Sequence, residues 1–112
     1  MNLQVRNDIA RLVDCELNAE VAKLSGFSSN GPMPDYTYDL NAMRVIEQSI
    51  MVESDKLFEE YVSILVSLDH GWYRAVAKAC AATARHRAEA YVLFKRKQAG
   101  EWSEDIQVQH GT

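Results

Sequence analysis

The sequence predicts a single α+β domain in which helices pack on a short antiparallel hairpin or sheet, with an all-α helical bundle as the alternative. Three observations carry this. Residues 3–24 and 83–97 place apolar side chains at helical spacing and end in glycine-bearing stops. A third helix opens at Asp39, after a loop rich in Gly, Pro and Ser. Between these helices, Tyr61–Leu68 alternates apolar residues with serines and is rich in β-branched side chains, which pack well on a pleated surface. At 112 residues and 47% apolar content, the chain is large enough for one hydrophobic core and too small for two.

In the first helical segment Val13, Leu17, Val21 and Leu24 recur at intervals of four, four and three, with Ile9 one turn earlier. Ser25-Gly26 supplies the stop. Asn18 is a candidate internal N-cap, so two short helices are an alternative to one long one. The loop over residues 25–36 contains both prolines, and its Phe27 and Met33 are expected to fold back onto the core. Long ordered loops often carry function. Asp39 suits the free N–H groups and the positive dipole end of the next helix. Leu40, Met43, Ile46 and Ile50 form its buried stripe, with Arg44, Glu47 and Gln48 facing outward.

Residues 60–80 admit two readings. Val62, Ile64, Val66 and Leu68 alternate against Ser63 and Ser67, Asp69-His70-Gly71 suits a hairpin connection, and Trp72–Lys78 would be the return strand. The helical reading rests on Leu57, Tyr61, Leu65 and Leu68, spaced four, four and three, and on the alanines of residues 75–84. The hairpin is the reading preferred here. In residues 83–97, Thr83 can cap the helix, Ala84, Ala88, Tyr91, Val92 and the stem of Lys95 share a face, and Arg85 and Glu89 pair at i,i+4. Gly100 ends this helix. The globular domain is therefore expected over residues 1–102, with residues 103–112 a flexible C-terminal tail.

The net charge of −4 conceals an asymmetry. Residues 1–69 carry five Lys/Arg against twelve Asp/Glu, and residues 70–112 carry seven against four. The two parts can complement each other on folding, or present opposite faces to partners. No run of eighteen apolar residues exists, and the N-terminus lacks a signal-peptide pattern. Cys15 and Cys80 lack motif spacing and are expected to be free and buried.

No catalytic constellation is visible. His70, His86 and His110 stand far apart, outside any Cys-x-x-Cys or His-Glu-x-x-His arrangement, so no metal is expected. There is no Gly-x-Ser-x-Gly phrase and no phosphate-cradling glycine loop, so neither a nucleophilic mechanism nor a cofactor is expected. Arg85, Arg87, Lys95 and Arg96 could form a basic face for nucleic acid, with Tyr91 and Phe94 between the two clusters. A solvated basic face balancing the acidic part of the chain is the simpler reading. Trp72, Tyr73 and Trp102 could anchor a partner, although closing the core of a small domain is the preferred account of them.

Two phrases, Tyr36-Thr37-Tyr38-Asp39-Leu40-Asn41-Ala42-Met43 and Thr83-Ala84-Arg85-His86-Arg87-Ala88-Glu89-Ala90, give the chain a recognisable signature. It resembles the phage ABA-sandwich domain type, small bacteriophage proteins in which Tyr-x-x-Asp-Leu-Asn-Ala-Met precedes Thr-Ala-x-x-Arg-Ala-Glu-Ala. The likeness spans roughly residues 17–102. A Trp following the last helix is common in that family, and Trp102 matches it. The resemblance implies a phage origin and residence in the host bacterial cytoplasm. Together with the missing catalytic chemistry, it leads to the expectation of a non-enzymatic accessory protein that binds a host protein. Inhibitors of bacterial defence systems, anti-CRISPR proteins among them, share this profile, and a defence nuclease complex is one such partner. The alternatives are a nucleic-acid-associated or virion-assembly component and a small-ligand sequestering domain. The expected partner surface is acidic and aromatic: Glu16, Glu20, Asp35, Tyr36 and Tyr38, with packing of the loop onto the core an equal alternative for the two tyrosines. It would act by mimicking phosphate charge in a basic channel.

Overall fold

A computed structural model describes residues 3–27, 31–68 and 82–103. These residues form five helices: α1 (Leu3–Ala10), α2 (Asp14–Ser25), α3 (Leu40–Glu53), α4 (Asp55–Ser67) and α5 (Ala84–Gln98). There is no strand among the described residues. The α+β expectation is therefore overturned and the all-α bundle takes its place. The proposed first strand lies inside α4, where Tyr61, Ile64, Leu65 and Leu68 are buried and Val62 and Val66 only half-buried. One-sided burial at three- and four-residue steps is a helical stripe. The proposed turn Asp69–Gly71, the return strand with Trp72, Tyr73 and Lys78, and Cys80 lie outside the described residues, as do His70, His110 and residues 104–112 of the expected tail.

Helix α5 is the centre of the bundle and packs against each of the other four. Ala90, Tyr91, Val92, Leu93 and Phe94 are buried in succession, as expected for a helix with neighbours all round. Ala84 and Ala88 let backbones approach, and Phe94 meets Tyr61 edge-on at 6.0 Å between ring centroids. Trp102 closes the end of the core, its indole N–H donating to the Leu93 carbonyl at 2.9 Å.

The helix ends follow local chemistry. Asp39 caps α3 by accepting from Asn41 N at 2.9 Å and Ala42 N at 3.4 Å. Thr83 caps α5 by accepting from His86 N at 3.1 Å. Gly26 and Gly100 sit at φ +76° and +82°, left-handed conformations that side chains disfavour, and no atom crowds either position. The long first helix is divided. Chain from Arg11 to Val13 leaves the helical path, Val13 is exposed, and Glu16 reaches back to accept the Val13 N–H at 3.0 Å. Asn18 is an interior residue of α2 and not its cap. Two burial expectations also fail. Cys15 is free and exposed, because it lies off the stripe of Leu17, Asn18, Val21 and Ala22, and Met33 is largely exposed while Phe27 packs on the core.

The largest departure is Glu47, expected outside and found buried. Its Oε2 accepts from Tyr61 Oη at 2.5 Å and from Arg87 Nη1 at 2.7 Å, while Arg87 Nε donates to the Ala82 carbonyl at 3.1 Å. One carboxylate thus joins α3, α4 and α5. Burial first, then the adjacent carboxylate of Glu47, holds the Tyr61 phenol well above its ordinary range, so it stays protonated and donating.

Two stability experiments follow from this arrangement. Asp39→Ala is expected to cost about 1 kcal/mol in a denaturant melt, and Asp39→Asn less; no change for Asp39→Ala contradicts the cap. Arg87→Met alone strands a buried carboxylate and is expected to cost about 3–5 kcal/mol. The all-apolar combination Glu47→Leu/Tyr61→Phe/Arg87→Met is expected to recover most of that loss, and a triple variant as unstable as the single one contradicts the account.

Candidate partner-binding face

The segment leading into α3 is held as a rigid turn. Asn18, buried on α2, donates from Nδ2 to Asp35 Oδ1 at 2.9 Å and accepts the Thr37 N–H on its own Oδ1 at 2.9 Å. Thr37 Oγ1 donates to the same Asp35 oxygen at 3.0 Å, and the Asp35 carbonyl accepts from Tyr38 N at 3.1 Å and Asp39 N at 2.7 Å. Hydrogen bonds from Asn18 and then Thr37 favour the ionised carboxylate and hold the Asp35 pKa below its ordinary value. Tyr36 points into the core at 5% exposure, whereas Tyr38, two residues on, is 85% exposed. The turn thus spends one tyrosine on anchoring itself and presents the other.

Beyond the Asp39 cap, α3 buries Met43, Ile46, Glu47 and Ile50. Opposite them lie Asn41, Val45, Gln48 and Val52, at i, i+4, i+7 and i+11, all exposed. Val45 is 67% and Val52 87% exposed, with Met51 beside them. The outermost line of α3 is therefore uncharged, flanked by Arg44 on one side and Glu53 on the other. A second apolar surface runs along α4 as a shallow groove lined by Phe58, Glu59, Val62, Ser63 and Val66.

The residues expected to bind a partner are redistributed by this geometry. Glu16 is occupied with the start of α2, and Glu20 pairs with Arg96 at 3.1 Å. For Tyr36 the core-packing alternative holds, since it is a core residue. Of the acidic–aromatic set, Glu16, Asp35 and Tyr38 are exposed, Glu16 being engaged with the Val13 N–H, and sequence reasoning missed Val45 and Val52. Their signal was present: valines at an i,i+7 interval outside the buried stripe.

The basic helix is largely engaged in internal contacts. Arg85 donates to Asp14 at 2.6 Å, to Glu89 at 2.7 Å and to the carbonyls of Leu12 at 2.6 Å and Ala10 at 3.3 Å, closing the break between α1 and α2. Arg87 is buried with Glu47, and Lys97 approaches Glu60 at 4.0 Å and lies over the Trp102 ring. Lys95 lies over the Tyr91 ring, 5.8 Å from its centroid. Asp14, Glu20, Glu47 and Glu60 belong to the acidic part of the chain, so its charge asymmetry is met in good part within the fold.

Among the described residues no group of three or more His, Cys, Asp or Glu is placed to hold a metal ion, and no helix is long and apolar enough to cross a membrane. Comparison of the chain with protein-family models, curated proteins and solved structures finds no match. The resemblance to the phage family stands on the two phrases alone, and most of the residues that define them have a structural use. Tyr36, Met43, Ala84, Ala88 and Ala90 are core, Asp39 and Thr83 are caps, Arg87 is the buried cation, and Glu89 holds Arg85.

The Asp35 geometry sets a pH dependence. A carboxylate with a depressed folded-state pKa contributes stability that is complete above the unfolded value of about 4 and is lost as pH falls through the folded value. Thermal melts across the acid range are expected to show a shallower decline for Asp35→Asn than for the wild type. Parallel acid limbs would contradict the Asn18–Asp35–Thr37 clamp.

Proposed function

We propose that this chain is a phage accessory protein that acts by protein–protein binding, without chemistry of its own, and covers a surface of a host protein such as a bacterial defence nuclease complex. The observation that carries the reading is Tyr38, 85% exposed on a turn fixed by a buried asparagine, at the head of the uncharged outer line of α3. An exposed aromatic ring on an ordered turn has already lost much of the freedom that binding would remove, which is what makes such residues interface anchors. Exposed Val45 and Val52 extend the same surface. The phage origin and the link to defence systems rest on the two sequence phrases. Relative to the acidic surface first expected, the contact moves off Glu16, Glu20 and Tyr36, and onto Asp35, Tyr38 and α3.

The nucleic-acid alternative loses support because Arg85, Arg87 and Arg96 are held by carboxylates of the same chain. Breaking those pairs to reach phosphate would cost the fold its own contacts.

The test compares the tagged wild type with Tyr38→Ala/Val52→Glu in pull-downs from bacterial lysate, read by mass spectrometry. A discrete host protein retained by the wild type is expected to fall by about tenfold or more in the variant, with the melting temperature unchanged. Equal retention by both, or retention of nucleic acid alone, contradicts the reading.

A further inference from the structure

The outer face of α3 also constrains what kind of partner it can take, an inference that rests on the protein-binding reading above. We infer that this face receives an amphipathic helix of the partner, its apolar side along Val45 and Val52 and a basic end against Tyr38, Asp35 and Asp39.

The helical form of the partner follows from what α3 offers. Along the body of α3 the backbone N–H and C=O groups are used within the helix, and Asp39 and Ser54 cap its ends, so no free ladder is available for an added strand. What remains is a row of side chains at i, i+4, i+7 and i+11, the spacing along which two crossing helices interlock. The 14 residues of α3 span about 21 Å, room for roughly four turns of a second helix. Asn41 and Gln48 alternate with the two valines along this row, so their amides can meet polar groups that flank the partner's apolar stripe.

Charge sets the direction. Residues 24–43 contain no Lys, Arg or His, so at the head of α3 the carboxylates of Asp35 and Asp39 stand without a cation from their own segment. Both residues are exposed and stand within three residues of Tyr38 in the chain, and the face of an aromatic ring attracts a guanidinium or ammonium group. The foot of α3 is closer to balance, with Glu53 and Asp55 beside Lys56. A partner helix with Arg or Lys at its C-terminal end, running antiparallel to α3, places its cations at the acidic head. The same polarity disfavours a second copy of this chain as the occupant. In an antiparallel α3–α3 pair about a two-fold axis, the Asp35/Asp39 head of each copy meets the foot of the other, where Lys56 is outnumbered by Glu53 and Asp55, so the pair gains less than a basic partner end would give.

The probes are two 16-residue peptides with leucines at i, i+4, i+7 and i+11 in an Ala/Gln background, one ending in three arginines and the other in three glutamates. Each is titrated into the isotope-labelled full chain and followed by amide chemical shifts. The arginine peptide is expected to shift Tyr38, Asn41, Val45, Gln48 and Val52. It should bind about tenfold or more tightly than the glutamate peptide and weaken as salt rises. Val45→Glu/Val52→Glu is expected to abolish these shifts while melting like the wild type. Shifts centred on Phe58, Val62 and Val66 overturn the inference, as does equal binding of the two peptides. A dimer in sedimentation that Val52→Glu dissociates also overturns it, in favour of self-association. If neither peptide binds while the lysate partner still depends on Tyr38 and Val52, the helical partner class is wrong and the binding face stands; if that dependence is absent too, both fall.

Discussion

The structure depends most on one buried carboxylate. Helix α3 is apolar on more than one side: Met43, Ile46 and Ile50 face the core, but Val45, Met51 and Val52 would serve as core residues equally well by composition. Hydrophobic burial is non-directional and cannot choose between these faces. Glu47 can, because an ionised side chain enters a core only where a cation and a donor await it. Arg87 on α5 and Tyr61 on α4 supply both, at 2.7 and 2.5 Å. Turning Glu47 inward fixes the rotation of α3 and leaves Val45 and Val52 outside. The exposed stripe proposed as the binding surface is therefore a consequence of the buried pair.

A second set of contacts holds the ends of the bundle. Asn18 ties α2 to the turn before α3, so the exposure of Tyr38 and the burial of Tyr36 are set together. Arg85 satisfies carbonyls freed where α1 breaks from α2 and pairs with Asp14 at the start of α2. Arg96 then joins α5 to Glu20 one turn and a half further along α2. The exposed members of these pairs add little individually. Their value is positional, since the Arg85–Asp14 and Arg96–Glu20 pairs each link residues more than seventy apart in sequence.

What the sequence made legible was local. Asp39, Thr83, Gly26 and Gly100 marked helix ends through interactions within a few residues, and all four act as read. Residues 61–68 misled because two β-branched valines, Val62 and Val66, sit on the half-buried flank of α4, and with buried Ile64 and Leu68 they produce an alternation that coexists with the helical stripe of Tyr61, Leu65 and Leu68. A divided first helical segment is one of the two sequence readings, but the place of the break, after Ala10, was not legible, because Arg85, far along the chain, stabilises it. Glu47 and Arg87 were assigned outward by charge alone. Their spacing said otherwise: Glu47 stands four after Met43 and three before Ile50, and Arg87 three after Ala84 and four before Tyr91. An acid on one apolar stripe and a base on another is the pattern of a buried pair. The candidate site was half legible. The turn and its tyrosines were identified, but which tyrosine faced out was decided by Asn18, a tertiary contact.

The central claim is that the Glu47–Arg87–Tyr61 junction sets the facing of α3, and methyl nuclear Overhauser contacts test it most directly. In the wild type, Met43, Ile46 and Ile50 are expected to show contacts to α4 and α5, with none from Val45 or Val52. In the Glu47→Leu/Tyr61→Phe/Arg87→Met chain, still folded, Val45 and Val52 are expected to gain core contacts as α3 samples other facings. Identical contact patterns in the two proteins would contradict the claim and return the orientation of α3 to hydrophobic packing alone.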